Sequence, residues 1–182
     1  MAEQRSMFAV LREAIRSRDP VTGTLCPSAF ERAVYGWIGD GAGARRPSSS
    51  IVLVGLDHDA RGASAGRPAE RAGGTMLRAT AEALLPLLRT TDIVGRVDPE
   101  TLGVLLPATP SEQAAEVAER MRAAVAQLRT KRNAAVTASI GVASGLLADP
   151  WAAAHDAIAD ARLAGGNVVV VASAPALRRH TR

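Results

Sequence analysis

Two short apolar runs, residues 92–97 and 102–106, are separated by the tetrapeptide Asp98-Pro99-Glu100-Thr101. Strand-length runs flanking such a turn read as a β-hairpin. A hairpin is antiparallel by construction. The other strand-like runs, residues 51–56, 136–143 and 168–172, are reached through stretches with helical periodicity. A hairpin joined to strands that alternate with helices specifies a mixed sheet flanked by helices, an α/β (α+β) chain.

The helical stretches are marked by apolar residues at three- and four-residue spacing. Met7, Phe8, Leu11 and Ile15 mark an N-terminal amphipathic helix over residues 1–18, which Asp19-Pro20 ends. Phe30, Ala33, Val34, Trp37 and Ile38 mark a second helix. Residues 39–50, rich in Gly, Ser, Pro and Arg, read as a loop, and so do residues 61–74. Met76, Leu77, Thr80, Leu84, Leu87 and Leu88 mark a third helix, bent near Pro86. Thr109-Pro110-Ser111-Glu112 reads as a capping box, with Thr109 as N-cap, Pro110 in the first helical position and Glu112 reaching back. Ala114, Val117, Ala118, Met121, Val125 and Leu128 give that helix its apolar face. Asp149-Pro150 opens a last helix, and Gly165-Gly166 closes it. One domain is therefore expected over residues 19–172, with a basic, polar tail over residues 173–182.

A chain of 182 residues that is 47% hydrophobic supports one real core plus a short extension. No segment approaches the ~20 apolar residues of a membrane span. The charged N-terminus has no apolar h-region, so the expected location is cytoplasmic. Cys26, the one cysteine, rules out an internal disulfide and a thiolate metal cluster. The net charge of +4 comes mostly from arginine, since lysine occurs only at Lys131. The basic residues are dispersed apart from Arg45-Arg46 and the tail, and aromatics are 3% of the chain, which argues against a stacking platform for nucleic acid. This charge suits a small anionic ligand or a weakly acidic partner.

Several segments then stand in a telling order. Asp19-Pro20-Val21-Thr22-Gly23 is followed by Phe30-Glu31. Arg96 is followed eight residues later by Val104-Leu105-Leu106-Pro107. Residues 136–143 read Val-Thr-Ala-Ser-Ile-Gly-Val-Ala, and residues 161–167 read Ala-Arg-Leu-Ala-Gly-Gly-Asn. With these elements between them, the segments resemble a GGDEF domain, the fold of the diguanylate cyclases. That family opens with Asp-Pro-Leu-Thr-Gly, has a strand Val-Thr-Val-Ser-Ile-Gly-Val-Ala, and ends its last helix with Ala-Lys-x-x-Gly-Arg-Asn. The resemblance covers residues 19–172 and implies the nucleotidyl-cyclase-like architecture, a central mixed sheet flanked by helices.

The resemblance also implies where an active site would lie and what this chain has put there. The signature Gly-Gly-Asp-Glu-Phe falls on Asp98-Pro99-Glu100-Thr101-Leu102. In the family the glycines let the hairpin backbone lie close to guanosine and phosphates. Asp98 and Pro99 restrict that turn, and Pro99 removes an N–H. The family's metal-ligating Glu becomes Thr101, while Glu100 stays acidic. The other metal carboxylate, the first Asp of Asp-x-Asp-x-Phe-Lys, falls on Gly55, with Asp57 in the second place and Asp59-Ala60 for the Phe-Lys pair. The base-contacting Asn falls near Ala63 or Ser64, and the later Asp near Gly74. Cys26-Pro27-Ser28 replaces an Asn-Arg-Arg. Phosphoryl transfer to a ribose hydroxyl relies on divalent metal held by carboxylates. The chain is therefore expected to carry a degenerate active site (Gly55, Asp57, Asp98, Pro99, Glu100, Thr101, Leu102), with no catalytic residue, metal or cofactor, and not to be an enzyme. Arg162 replaces a phosphate-contacting Lys and is expected to pair with a surface acid.

A second family feature is retained. Cyclases carry an Arg-x-x-Asp product-inhibition site ending five residues before the signature, and Arg89-Thr90-Thr91-Asp92 has that spacing. Arg forks onto a guanine edge or a phosphate, and Asp accepts from guanine donors. The same pair also suits a helix end and a turn. Arg78, Arg120 and Arg122 are the candidates to complete the site. His58 reads as a solvated or capping residue, His155, Asp156 and Asp160 as a solvated face, and Trp37 and Trp151 as core or interface. Three functions stay open on sequence. One is a cyclic di-GMP-binding effector acting through Arg89 and Asp92. Another is a ligand-free interaction or scaffold domain with a protein partner, including a homodimer through the N-terminal helix. The third is a residual GTP binder using Asp57 and Glu100. No attached sensor domain is expected at this length, which points to a partner protein.

Overall fold

The computed structural model describes residues 17–38, 49–57, 67–130 and 133–173, with side chains of 67–73 excepted. The expected N-terminal helix up to residue 16, His58, Asp59-Ala60, Ala63, Ser64 and the tail from residue 174 lie outside the described residues.

The apolar run beginning at Ser50 is buried at every position of strand β1 (Ser50–Leu56). That is the pattern of a strand covered on both faces. It forms the centre of a five-stranded sheet whose other members are β2 (Ile93–Arg96), β3 (Thr101–Leu106), β4 (Ala138–Ser144) and β5 (Val169–Val171), in the order β2-β3-β1-β4-β5. β2 and β3 are the antiparallel hairpin, β1 is antiparallel to both β3 and β4, and β5 is parallel to β4. The sheet is mixed because the antiparallel hairpin shares it with the parallel pair β4 and β5.

Among the described residues four helices cover it: α1 (Pro27–Ile38), α2 (Arg67–Leu84), α3 (Ser111–Ala126) and α4 (Pro150–Leu163). Alternate residues of β1 divide the core. Val52, Val54 and Leu56 join Leu77 and Leu84 of α2 and Met121 and Val125 of α3. Ile51 and Leu53 join Phe30 and Val34 of α1 and Ala154 and Ile158 of α4. Trp37 and Trp151 pack against this second cluster.

Glycines set how closely the helices approach. Gly95 and Gly103 face one another across the hairpin. The fully buried Phe30 ring lies on both, so a Cβ at either position would overlap it. A Cβ at Gly141 on β4 would likewise overlap the Ala154 carbonyl of α4.

Three local expectations are corrected. α2 begins at Arg67, within the stretch read as loop. Pro68 falls in the first turn, where an N–H has no intrahelical partner to lose, and the helix absorbs Gly73-Gly74 at roughly 1 kcal/mol each. Thr109 is not the cap of α3: Pro110 occupies that place without a side-chain cap, and the buried Thr109 hydroxyl donates to the Pro107 carbonyl (3.0 Å). β4 starts at Ala138, two residues later than read, and extends to Ser144. Elsewhere the local chemistry holds. Asp149 caps α4 by accepting from the Ala152 N–H (2.9 Å). Gly165 and Gly166 end α4 with φ of 108° and 75°, and the bend at Pro86 is a 3₁₀ turn, Leu85–Leu87.

Candidate functional site

Among the described residues two regions bring polar groups together. The first lies at the end of β1 beside the hairpin turn. Gly55 pairs with Thr101 on one side and Ser139 on the other. Over it lies Arg162 from the last turn of α4, whose Nη2 is 2.8 Å from the place a Cβ on residue 55 would take. Arg162 was expected to pair with a surface acid, yet it makes no ion pair among the described residues.

Asp57, two residues on, is committed to structure. Its Oδ1 accepts the Ser139 hydroxyl (2.6 Å), and its Oδ2 accepts the Asn167 N–H (2.9 Å). The side chain thereby ties the end of β1 to β4 and to the turn before β5. Asn167 has a positive φ of 54°, a conformation that asparagine tolerates better than most residues.

The hairpin turn is self-contained. Asp98 Oδ1 accepts the Glu100 N–H (2.8 Å) in an Asx turn, and Thr101 O accepts the Val97 N–H (2.9 Å). No residue from Asp98 to Leu102 has a positive φ, so this turn has no need of glycine. Pro99 is exposed, Thr101 is buried and Leu102 is part of the core. Among the described residues no group of three His, Cys, Asp or Glu side chains could hold a metal ion.

The opening motif braces the same hairpin. Asp19 Oδ1 accepts from the Thr22 N–H (2.8 Å), the Thr22 hydroxyl (2.9 Å) and the Val21 N–H (3.1 Å). Its Oδ2 receives Arg96 Nη1 of β2 at 3.2 Å. Burial alone would raise the carboxyl's pKa, but the Thr22 hydrogen bonds and the Arg96 guanidinium outweigh it and hold the group below its ordinary value. The bond from Arg96 Nε to the Asp98 carbonyl (3.0 Å) carries this brace into the turn. Asp19 and Arg96 belong to separate sequence segments; the Asp-x-x-Thr spacing announces the turn, but not its partner.

The second region is a cavity of about 340 Å³ between the α2–β2 connection and α3. Leu87, Leu106 and Val117 give it apolar walls, and Arg89, Asp92, Glu116 and Arg120 bring charge. Asp92 Oδ2 accepts the Arg89 N–H (2.8 Å), and the Asp92 N–H is bonded to the Arg89 carbonyl (3.1 Å), so the Arg-x-x-Asp segment is a tight turn. Asp92 Oδ1 is buried with no hydrogen-bond partner among the described residues, an arrangement that native proteins avoid unless something external satisfies it. The structure also ranks the three arginines. Arg78 is bonded to Glu82 (2.9 Å), and Arg122 to Glu119 (2.8 Å) and Asn167 (3.0 Å), whereas Arg120 lines the cavity. Glu116 went unread in the sequence. It stands four residues before Arg120, but without the neighbouring turn nothing identified that helix face.

The chain matches the family model described as diguanylate cyclase, GGDEF domain, over residues 45–167. It is similar to the diguanylate cyclase SiaD from Pseudomonas aeruginosa, solved in complex with its activator SiaC, at 26% identity and a TM-score of 0.73, covering 94% of this chain and 67% of that one. The GGDEF domain of FimX, from the same organism, shares its fold at 23% identity and a TM-score of 0.70, covering 85% of this chain and 98% of that one. So does the GGDEF domain of DgcB from Caulobacter crescentus, solved with c-di-GMP, at 18% identity and a TM-score of 0.72, covering 86% and 95%.

Proposed function

The chain belongs to the GGDEF family of diguanylate cyclases, and within it we propose that this domain does not make cyclic di-GMP but binds it, as an effector, in the cavity formed by Arg89, Asp92 and Arg120. The observation that carries the reading is the Asp92 carboxylate. One of its oxygens holds the turn, the other is buried with no partner among the described residues, and the residue lines a cavity that two arginines also line. A guanine base supplies what is missing. Its N1–H and amino group are donors for Asp92 Oδ1, while its O6 and N7, or a phosphate, accept from the guanidinium forks.

The same chemistry argues against a cyclase. The residues at the cleft do not fit a divalent metal: positions 55 and 101 are Gly and Thr, a guanidinium lies against Gly55, and both Asp57 oxygens already accept hydrogen bonds. The turn that would approach a substrate is closed on itself by Asp98. A residual GTP site using Asp57 and Glu100 is disfavoured for the same reason.

Calorimetric titration with cyclic di-GMP tests the reading. Loss of a charge-assisted, forked contact costs about 1.5–3 kcal/mol. Arg89→Ala and Arg120→Ala should each weaken binding roughly tenfold to hundredfold, and Arg78→Ala should leave it unchanged. No heat at high micromolar protein would give the domain to the scaffold alternative, in which it contacts a protein partner without ligand. Binding that survives Arg89→Ala but fails on Arg162→Ala would move the ligand to the old cleft and overturn the proposal.

A further inference from the structure

We infer that Glu116 sets the specificity of the cavity, making it a reader of a guanine edge rather than a trap for anions; this rests on the function proposed above. The cavity is lined by two guanidinium groups, Arg89 and Arg120, and two carboxylates, Asp92 and Glu116. Glu116 and Arg120 stand one turn apart on α3, a spacing at which Glu and Arg often pair. They form no ion pair among the described residues, and neither does Arg89. All three charged ends remain available to a ligand.

The formal charges cancel, two against two. A bare polyanion therefore meets both acids, and what it gains from the arginines it gives back to the carboxylates. A ligand uses all four groups only if it brings hydrogen-bond donors on one side and acceptors or a phosphate on another. Guanine does this: N1–H and the exocyclic amine are adjacent donors, and O6 and N7 are adjacent acceptors. Ionised carboxylates only accept, and guanidinium groups only donate. Asp92 Oδ1 takes one guanine donor and Glu116 the neighbouring one, with Arg89 and Arg120 on the acceptors and phosphate. Adenine places an unprotonated N1 beside its amine, so the second carboxylate would face a lone pair. Position 116 thus decides between bases, and the same negative charge holds off ligands that offer phosphate alone.

The test is Glu116→Gln in the full chain, titrated with cyclic di-GMP, cyclic di-AMP and pyrophosphate. Gln keeps the shape and the helix propensity, and Glu116 is exposed, so an unchanged melting temperature is the control for folding. The preference for cyclic di-GMP over cyclic di-AMP should fall by roughly tenfold, with pyrophosphate binding more tightly than to the wild type. An unchanged preference in Glu116→Gln, while Arg89→Ala still loses cyclic di-GMP, would overturn this inference and leave the effector reading standing. If the wild type binds neither cyclic dinucleotide, the effector reading fails and the inference falls with it.

Discussion

Arg162 lies against Gly55, its Nη2 2.8 Å from the place a Cβ on that strand residue would occupy. The absence of a side chain at residue 55 and the presence of a cation above it are one feature. The guanidinium rests at the end of a flexible side chain, so it gives way at little cost, but its charge does not leave.

Restoring carboxylates should therefore not restore catalysis. In Gly55→Asp/Thr101→Glu, the new Asp meets Arg162 at ion-pair range before any metal does, and Asp98 still closes the turn through the Glu100 N–H. The double variant should fold, and with GTP and Mg²⁺ or Mn²⁺ it should yield no cyclic di-GMP above a no-protein control. Measurable turnover in the double variant, or in the wild type, would show that the cleft holds a working metal site.

Acid should weaken the brace between Asp19 and Arg96. The folded-state pKa of Asp19 is depressed, so its stabilisation is fully present above the unfolded value, near 3.8. It is lost as pH falls through the lower folded value. Melting temperature should fall as pH drops from about 5 to 3, with Asp19→Asn destabilised by about 1–3 kcal/mol at neutral pH and showing a shallower acid slope. Equal slopes for wild type and variant would mean that other carboxylates carry the acid sensitivity.

The central sheet, its hairpin and the order of elements were legible because each rests on local periodicity and turn chemistry. Ile51 to Leu56 read as a buried strand and proved to be the central one, and Asp149 read as a helix opening and is one. Errors came where two local signals competed. Glycines within residues 61–74 gave that stretch the composition of a loop, yet α2 begins at Arg67. Thr109 had the spacing of a cap, but its hydroxyl found the Pro107 carbonyl first. The cavity was half legible. Arg89 and Asp92 are three residues apart in one turn, whereas Arg120 and Glu116 come from α3 and join them only through tertiary packing. The fate of Arg162 was likewise a question of packing, since its neighbour Gly55 lies 107 positions away in the chain.

The seat of Phe30 should resist enlargement. Gly103→Ala places a methyl inside the ring's volume, and overpacking a closed core costs about 1–3 kcal/mol. Urea or thermal unfolding should register that loss, and Phe30→Leu should be less damaging in the Gly103→Ala background than alone. The two losses are then non-additive, the mark of residues in contact. Simple additivity would contradict the packing.

Asp92 performs two tasks that a pair of substitutions can separate. Its Oδ2 accepts the Arg89 N–H and holds the turn, while its buried Oδ1 has no partner among the described residues. An amide at this position keeps one oxygen for the turn and replaces the unsatisfied oxygen with an NH₂, which cannot accept from a guanine N1–H. Asp92→Asn should therefore fold with stability within about 1 kcal/mol of the wild type, since the amide oxygen keeps the turn bond. It should nonetheless lose cyclic di-GMP binding by tenfold or more. Asp92→Ala removes the turn acceptor as well and should also cost about 1 kcal/mol of stability. Parallel melting curves and titrations of the two variants separate the roles. If Asn binds cyclic di-GMP like the wild type, Asp92 is a turn residue alone and the ligand does not use it.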